Sequence, residues 1–160
     1  MDFALTTRWH FAAPIEPVWE ALIAVDDWPR WWPFVHAVEP IAPGGPDGVD
    51  AVRRYVWSSR LPYRIGFAMR TTTVRRPTLI EGVAAGDLNG RGTWHLGTHH
   101  GATRVQYDWR VALGKRWMNL FAPLLGPAFR WNHDQVMAAG ARGLARYLGV
   151  PLIAFEGSAQ

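Results

Sequence analysis

His133 is the residue of this 160-residue chain best placed to do chemistry. It lies in FRWNHDQVMAAGARGLARYL (129–148), where helical spacing from Phe129 to Met137 sets it on the apolar stripe of a long terminal helix. An ordinary imidazole titrates near neutral pH, so it can both donate and accept a proton in enolisation or aldol steps. The competing reading is structural: a histidine that makes one hydrogen bond to sheet backbone and locks the helix in place. Asn132 beside it fits either role.

Glu81 is the second candidate. If Asn89-Gly90 forms a two-residue type I′ hairpin turn, Trp94 pairs with Ala85 and Leu96 with Val83, so Glu81 and Asp87 share a face with Trp94. Continuing through the turn at Gly101 sets Trp94 opposite Tyr107 and Leu96 opposite Val105. A carboxylate on that apolar face would have a raised pKa and serve as a base. The same count taken backwards through Arg76-Pro77 puts Phe67 and Met69 on the opposite face from Glu81. Either one turn is irregular or a bulge intervenes, and the alternative is a glutamate on the convex surface.

Other chemistries find little support. His10, His36 and His95 have no partner at a metal-ligand spacing, and His99-His100 are neighbours that point to opposite faces of a strand, so no metal site is expected. GDLNGRG (86–92) is hairpin punctuation rather than a phosphate loop, and no G-x-S-x-G elbow occurs. Neither a nucleotide nor a metal cofactor is expected. The chain has no cysteine, which removes disulfides and thiolate nucleophiles.

Aromatic residues are the stronger feature. Tyr55, Trp57, Phe67, Trp94, Tyr107, Trp109, Phe121 and Phe129, joined by Met69 and Met137, are candidates to line one concave space and hold a flat or greasy ligand. The alternative is that they fill the space as a core. DDWPRWWPFV (26–35) sharpens the choice, with Trp28, Trp31 and Trp32 inside five positions. Trp28 and Trp32 are i,i+4 and can share a buried face that plugs the base of the space, while Trp31 points elsewhere and is free to stack at an entrance.

The elements that must carry these residues are readable. FALTTRWHFA (3–12) alternates as a half-buried strand. Pro14, Glu16 and Pro17 then open a helix whose stripe is Val18, Trp19, Leu22, Ile23 and Val25, and a short helical turn follows at 29–32. Strands are expected near 35–43, 51–59, 63–74, 78–88, 91–99 and 102–113. ATRVQYDWRVAL (102–113) has the clearest alternation: Val105, Tyr107, Trp109 and Val111 face one way. A long helix ends at Leu148, and 150–160 reads as a flexible tail. One domain over 1–149 is expected, an α+β fold of about seven antiparallel strands curled around the last helix.

This order, with APIEPVWEAL, DDWPRWW, WSSRLPY, GDLNGRGTW, TRVQYDW and the terminal helix, resembles the helix-grip superfamily of START-type lipid-transfer domains and birch-pollen-allergen proteins. Over about residues 5–149 it is most similar to the polyketide cyclase/dehydrase-like members. The resemblance implies a cavity for an apolar small molecule between sheet and helix, without fixing a reaction.

Three functions stay open: a carrier or binder of a lipid, polyketide or aromatic metabolite; a cyclase or dehydratase using His133, with Glu81 or Tyr107 assisting; and an accessory protein that binds a membrane-derived lipid or quinone, or a protein partner. The formal charge of +4 comes from scattered basic residues with no run of five, so nucleic acid is not an expected partner. The longest apolar stretch, 118–129, is short and broken by Pro123, Gly126 and Pro127. Stable membrane insertion is therefore not expected, though transient contact is compatible, and a cytoplasmic protein without a signal peptide is the expectation. The oligomeric state is not readable.

Overall fold

The computed structural model describes residues 2–158. Strand β1 (Asp2–Phe11) is followed by helix α1 (Ile15–Ile23), a 3-10 turn at Val25–Asp27 and the short helix α2 (Trp28–Trp31). Six strands come next: β2 (Val35–Ala42), β3 (Val52–Trp57), β4 (Ile65–Arg75), β5 (Leu79–Gly86), β6 (Leu88–His99) and β7 (Ala102–Leu113). Helices α3 (Arg116–Leu120) and α4 (Ala122–Leu148) lead to β8 (Leu152–Glu156). All eight strands join one antiparallel sheet in the order β2-β3-β4-β5-β6-β7-β1-β8. This is the helix-grip architecture: the curved sheet packs its concave face on α4.

The alternation in β1 and β7 does what its period demands. Phe3, Leu5, Trp9 and Phe11 are buried, as are Val105, Trp109 and Val111. The pairing Trp9↔Val105 and Leu5↔Trp109 sets both rows on one face. Helix α1 buries Val18, Trp19 and Leu22. Pro17 sits in its first turn, where a missing N–H costs nothing.

Two expectations change. Residues 150–158 are not a frayed tail; 159–160 of the expected tail lie outside the described residues. Gly149 takes a left-handed conformation that ends α4, and 152–156 then pair with the free edge of β1. The Ser158 hydroxyl donates to the Thr6 carbonyl at 2.8 Å, and the Ser158 N–H donates to the Asp134 carboxylate at 2.7 Å, pinning the segment to both layers. Pairing there covers β1, which would otherwise be an open edge.

The second change is the β5–β6 hairpin. Asn89-Gly90 is not its turn: the last pair is Ala84↔Gly90, and 85–89 form the connection. Gly86 adopts φ +143°, a conformation open to glycine alone. The Asn89 side chain accepts from the Gly86 N–H at 3.2 Å, while the Asp87 carboxylate accepts from the Gly66 N–H at 3.1 Å. These side-chain bonds stabilise a wider loop than the tight dipeptide would make. Trp94 consequently pairs with Ile80, and Glu81 with Thr93. The pairing Trp94↔Tyr107 and Leu96↔Val105 is as the sequence indicates.

Candidate functional site

The terminal helix reaches the sheet through the tryptophan segment. Trp32 is fully buried, and its indole N–H donates to the Val136 carbonyl of α4 at 2.8 Å. Its ring meets Trp57 edge-on at 5.0 Å, Trp9 at 5.5 Å and Trp31 in a stack at 5.3 Å. Helix α4 allows this approach because small residues face the rings. A Cβ on Gly140 would lie 2.4 Å from Trp32 Cε2, and one on Gly143 would lie 1.8 Å from the Trp31 carbonyl oxygen. Trp31 is buried beside Tyr147 rather than free at an entrance. The segment is a clamp.

Beside the clamp lies a cavity of about 130 Å³. A single water needs only ~10–15 Å³, so the space suits an organic molecule. Its walls are aromatic. Tyr55 and Trp57 come from β3, Phe67 and Met69 from β4, Trp94 from β6, Tyr107 and Trp109 from β7, and Phe129 and Met137 from α4. Trp28, Trp32, Leu88, Ile65 and Ser58-Ser59 also line it. Tyr107 stacks on Trp94 at 4.2 Å, and Tyr55 stacks on Phe67 at 5.8 Å, so flat faces line the space.

Phe121, expected among these residues, is elsewhere. It sits at the junction of α3 and α4, is 48% exposed and does not reach the cavity. The long helix begins at Ala122, immediately after Phe121. Phe121 thus falls outside the stretch in which Phe129 and Met137 face inward.

Polar groups enter this apolar space from α4. His133 borders the cavity with only 10% of its side chain exposed, and neither ring nitrogen has a hydrogen-bond partner. Nδ1 lies 3.8 Å from Asp134 Oδ1, beyond hydrogen-bond range. The sheet-backbone bond expected of an anchoring histidine is not made, and Trp32 does the anchoring instead. Asn132 Oδ1 and Trp57 Nε1 are likewise buried without a partner, and both residues line the cavity. Buried polar atoms that lack partners cost about 1–3 kcal/mol each, a cost that a polar ligand atom relieves.

Two phenols complete the lining. Burial, aided by the nearby Tyr55, pushes the Tyr107 phenol well above its ordinary range. Burial does the same for Tyr55, with Arg53 working against it and Asp26 for it. Both remain neutral O–H groups. The Tyr107 hydroxyl overhangs Gly92, where a Cβ would lie 2.4 Å from it.

Glu81 stands apart. Its residue borders the cavity near Gly82, yet its carboxylate accepts from Arg91 at 2.7 Å and from Thr93 at 3.4 Å. Arg91 and Thr93 alternate with the inward-facing Gly92 and Trp94, which places that carboxylate on the convex side. The conflict in parity has one cause: the hairpin connection shifts the β5–β6 register by an odd number of residues, so Glu81 faces away from Trp94. Phe67 and Met69 do lie opposite Glu81, because a bulge between Thr71 and Thr73 in β4 offsets the one-residue irregularity at the Arg76-Pro77 turn. Met69 and Phe67 then share the concave face with Trp94. The inward positions that sequence reasoning missed, among them Ile80, Gly82 and Gly92, follow at once from the corrected register.

Among the described residues no group of three or more His, Asp or Glu gathers to hold a metal ion. None of the described helices is long and apolar enough to cross a membrane.

Residues 2–149 match the family model for polyketide cyclase / dehydrase and lipid transport proteins. The chain belongs to that family. Its fold is shared with a crystal structure of TTHA0849 from Thermus thermophilus, at TM-score 0.76 and 16% identity over 91% of this chain and 97% of that one. The Zhui aromatase/cyclase from Streptomyces sp. R1128 superposes with TM-score 0.70 and 14% identity, covering 93% and 94% of the two chains. The di-domain aromatase/cyclase BexL of the BE-7585A biosynthetic pathway gives TM-score 0.73 and 17% identity over 92% of this chain, which spans 50% of that one. No curated protein matches the sequence. At these identities the structures establish the fold, and the cavity of this family member must be read from its own residues.

Proposed function

We propose that this family member binds an apolar, ring-bearing small molecule that carries a few oxygen or nitrogen atoms, held between the sheet and α4. One observation carries the reading: buried polar atoms of His133, Asn132 and Trp57 lack partners at the edge of a cavity whose other walls are aromatic. Flat rings would stack on Tyr107, Trp94 and Tyr55, while the polar atoms fix orientation. The aromatase/cyclase neighbours favour polycyclic, oxygenated ligands over straight acyl chains.

The test is fluorescence titration of the tryptophans with a hydroxylated polycyclic aromatic, a straight-chain fatty acid and a sugar phosphate. Saturable quenching by the polycyclic compound is expected, with none from the sugar phosphate. His133→Gln and Asn132→Leu should each weaken the oxygenated ligand by roughly ten-fold, the worth of one hydrogen bond, and leave the parent hydrocarbon unaffected. Absence of saturable binding by any apolar probe would overturn the reading.

A second reading rests on His133 alone. Both its nitrogens are free of hydrogen-bond partners beside an apolar cavity, which leaves the ring available to move a proton to or from a bound carbonyl compound in a cyclisation or dehydration. Tyr107, held neutral, would polarise a carbonyl by donating its O–H. Under this reading His133→Gln abolishes turnover of a reactive polyketone while binding persists; unchanged turnover would remove His133 from the chemistry.

A further inference from the structure

A second feature of the molecule faces outward. Among the described residues, six of the ten exposed large hydrophobic side chains lie between Trp117 and Trp131. Trp117, Leu120, Phe121, Leu124 and Leu125 follow one another at helical spacing, and Trp131 continues the row seven residues beyond Leu124. Leu120 and Leu124 are 76% and 80% exposed, the most exposed of the set. The opposite side of the same segment, Met118, Ala122, Gly126 and Phe129, is buried against the sheet. Packing within the chain thus uses one face of α3 and the start of α4 and leaves a second apolar face without a partner.

We propose that this face docks on an anionic lipid bilayer surface. Three observations select that occupant. First, the charge is of one sign. No Asp or Glu occurs between Asp108 and Asp134, whereas Lys115, Arg116 and Arg130 flank the hydrophobic row. Lys115 is engaged by Asp87 at 3.1 Å, and Arg130 lies over the Phe3 ring, but Arg116 is exposed with no ion pair to any described residue. Second, tryptophan and leucine beside basic residues are the composition of an interfacial helix, with rings and aliphatic chains among the acyl groups and cations at the headgroups. Third, the exposed leucines of the tip have their backbone N–H groups bonded within the segment. The Leu124 and Leu125 N–H groups both donate to the Phe121 carbonyl, at 3.0 and 2.9 Å, and Pro123 and Pro127 have no N–H. A segment entering lipid must meet that requirement.

Helix α4 carries both features: the docked face points outward, and Phe129, one turn beyond Leu125 on the buried side, is a wall of the cavity. Exchange of the cavity ligand with the bilayer would follow from this proximity; that consequence rests on the ligand-binding reading, whereas docking does not.

Co-sedimentation of the full chain with vesicles tests the proposal, using phosphatidylcholine alone and phosphatidylcholine with about a quarter phosphatidylserine. The protein should pellet with the anionic vesicles and be released as salt rises. L120E/L124E should bind at least about ten-fold more weakly, with unchanged melting because both positions are exposed. Arg116→Gln should lose roughly five-fold, the share of one basic residue at a charged surface. No pelleting, or equal pelleting of L120E/L124E, overturns the proposal. So does a wild-type dimer in sedimentation velocity that the double variant dissociates, since the face would then meet a second copy. Titration of L120E/L124E with the polycyclic probe separates the readings: intact probe binding without docking leaves the cavity assignment standing, and docking without probe binding refutes only the cavity assignment.

Discussion

The contact between Trp32 and Gly140 allows a double-mutant test of how α4 is held. Trp32→Phe removes the indole N–H bond to Val136, worth about 1 kcal/mol. It also leaves a gap where the larger ring was, which adds about 1–2 kcal/mol. Loss of about 2–3 kcal/mol in total corresponds to a melting temperature lower by roughly 4–12 °C for a chain of this size. Gly140→Ala acts in the opposite sense. Its new methyl would stand 2.4 Å from Trp32 Cε2 and 2.7 Å from Cζ2 and Nε1, inside van der Waals contact. Overpacking of this kind costs about 1–3 kcal/mol, offset by about 1 kcal/mol of better helix propensity.

The atoms struck by the methyl that Gly140→Ala introduces are among those that Trp32→Phe removes. Introduced into the Trp32→Phe background, Gly140→Ala should therefore lose its steric cost, keep its helical gain and fill part of the gap. We expect it to change from destabilising to neutral or stabilising there, a coupling of about 1–3 kcal/mol. Urea denaturation of the four proteins, compared at constant m, measures the cycle. Additive effects within ~0.5 kcal/mol would show that the helix is not seated on Trp32 and would refute the clamp.

Three further outcomes follow. Tyr55 and Tyr107 have folded pKa values raised by burial, so the native state favours their neutral forms; the resulting stability is present below about pH 10, where free tyrosine titrates, and is lost as pH rises beyond it. Near-ultraviolet absorbance of phenolate should show these two of the four tyrosines ionising only with unfolding, and early reversible ionisation of all four would contradict the burial. Removing residues 152–160 should lower the melting temperature and promote association through the bared β1 edge, checked by calorimetry and light scattering; unchanged behaviour would mean β8 adds nothing. Glu81→Gln should leave ligand binding intact and shift stability by no more than ~1 kcal/mol, because its partner Arg91 is half exposed; a loss of binding would return Glu81 to the cavity.

What is legible in the sequence depends on period more than on residue type. In β7 a strict alternation over 102–113 gives the correct inward row, and the short turn at Gly101 carries that row to Trp94 and Leu96 without error. Helix α1 is likewise evident from its first-turn prolines and apolar stripe. The register fails where side-chain hydrogen bonds of Asp87 and Asn89 outweigh the local preference of Asn-Gly for a tight turn. Residues 150–160 look like a tail because five residues of strand carry little pattern by themselves; Leu152 and Phe155 acquire a role only once β1 offers an edge. Exposure of Phe121 is hidden for a related reason, since the 118–129 segment is apolar on both faces and periodicity cannot say which one the sheet takes.

A register error by an odd number of residues has an outsized effect on function in a sheet of this kind. It moves a carboxylate from the cavity to solvent and exchanges a glycine for it, which is what separates the expected Glu81 site from the observed Gly82 and Gly92 floor. With the corrected register, the sheet supplies the cavity with flat rings, neutral phenols and space, and no carboxylate from β5. The hydrogen-bonding groups without partners come chiefly from His133 and Asn132 on α4, the element whose position Trp32 sets. Under the proposed function, shape recognition would fall to the sheet and polar recognition to α4. A change in the clamp that shifts α4 should weaken binding of oxygenated ligands more than binding of the bare hydrocarbon, which needs only the rings of the sheet.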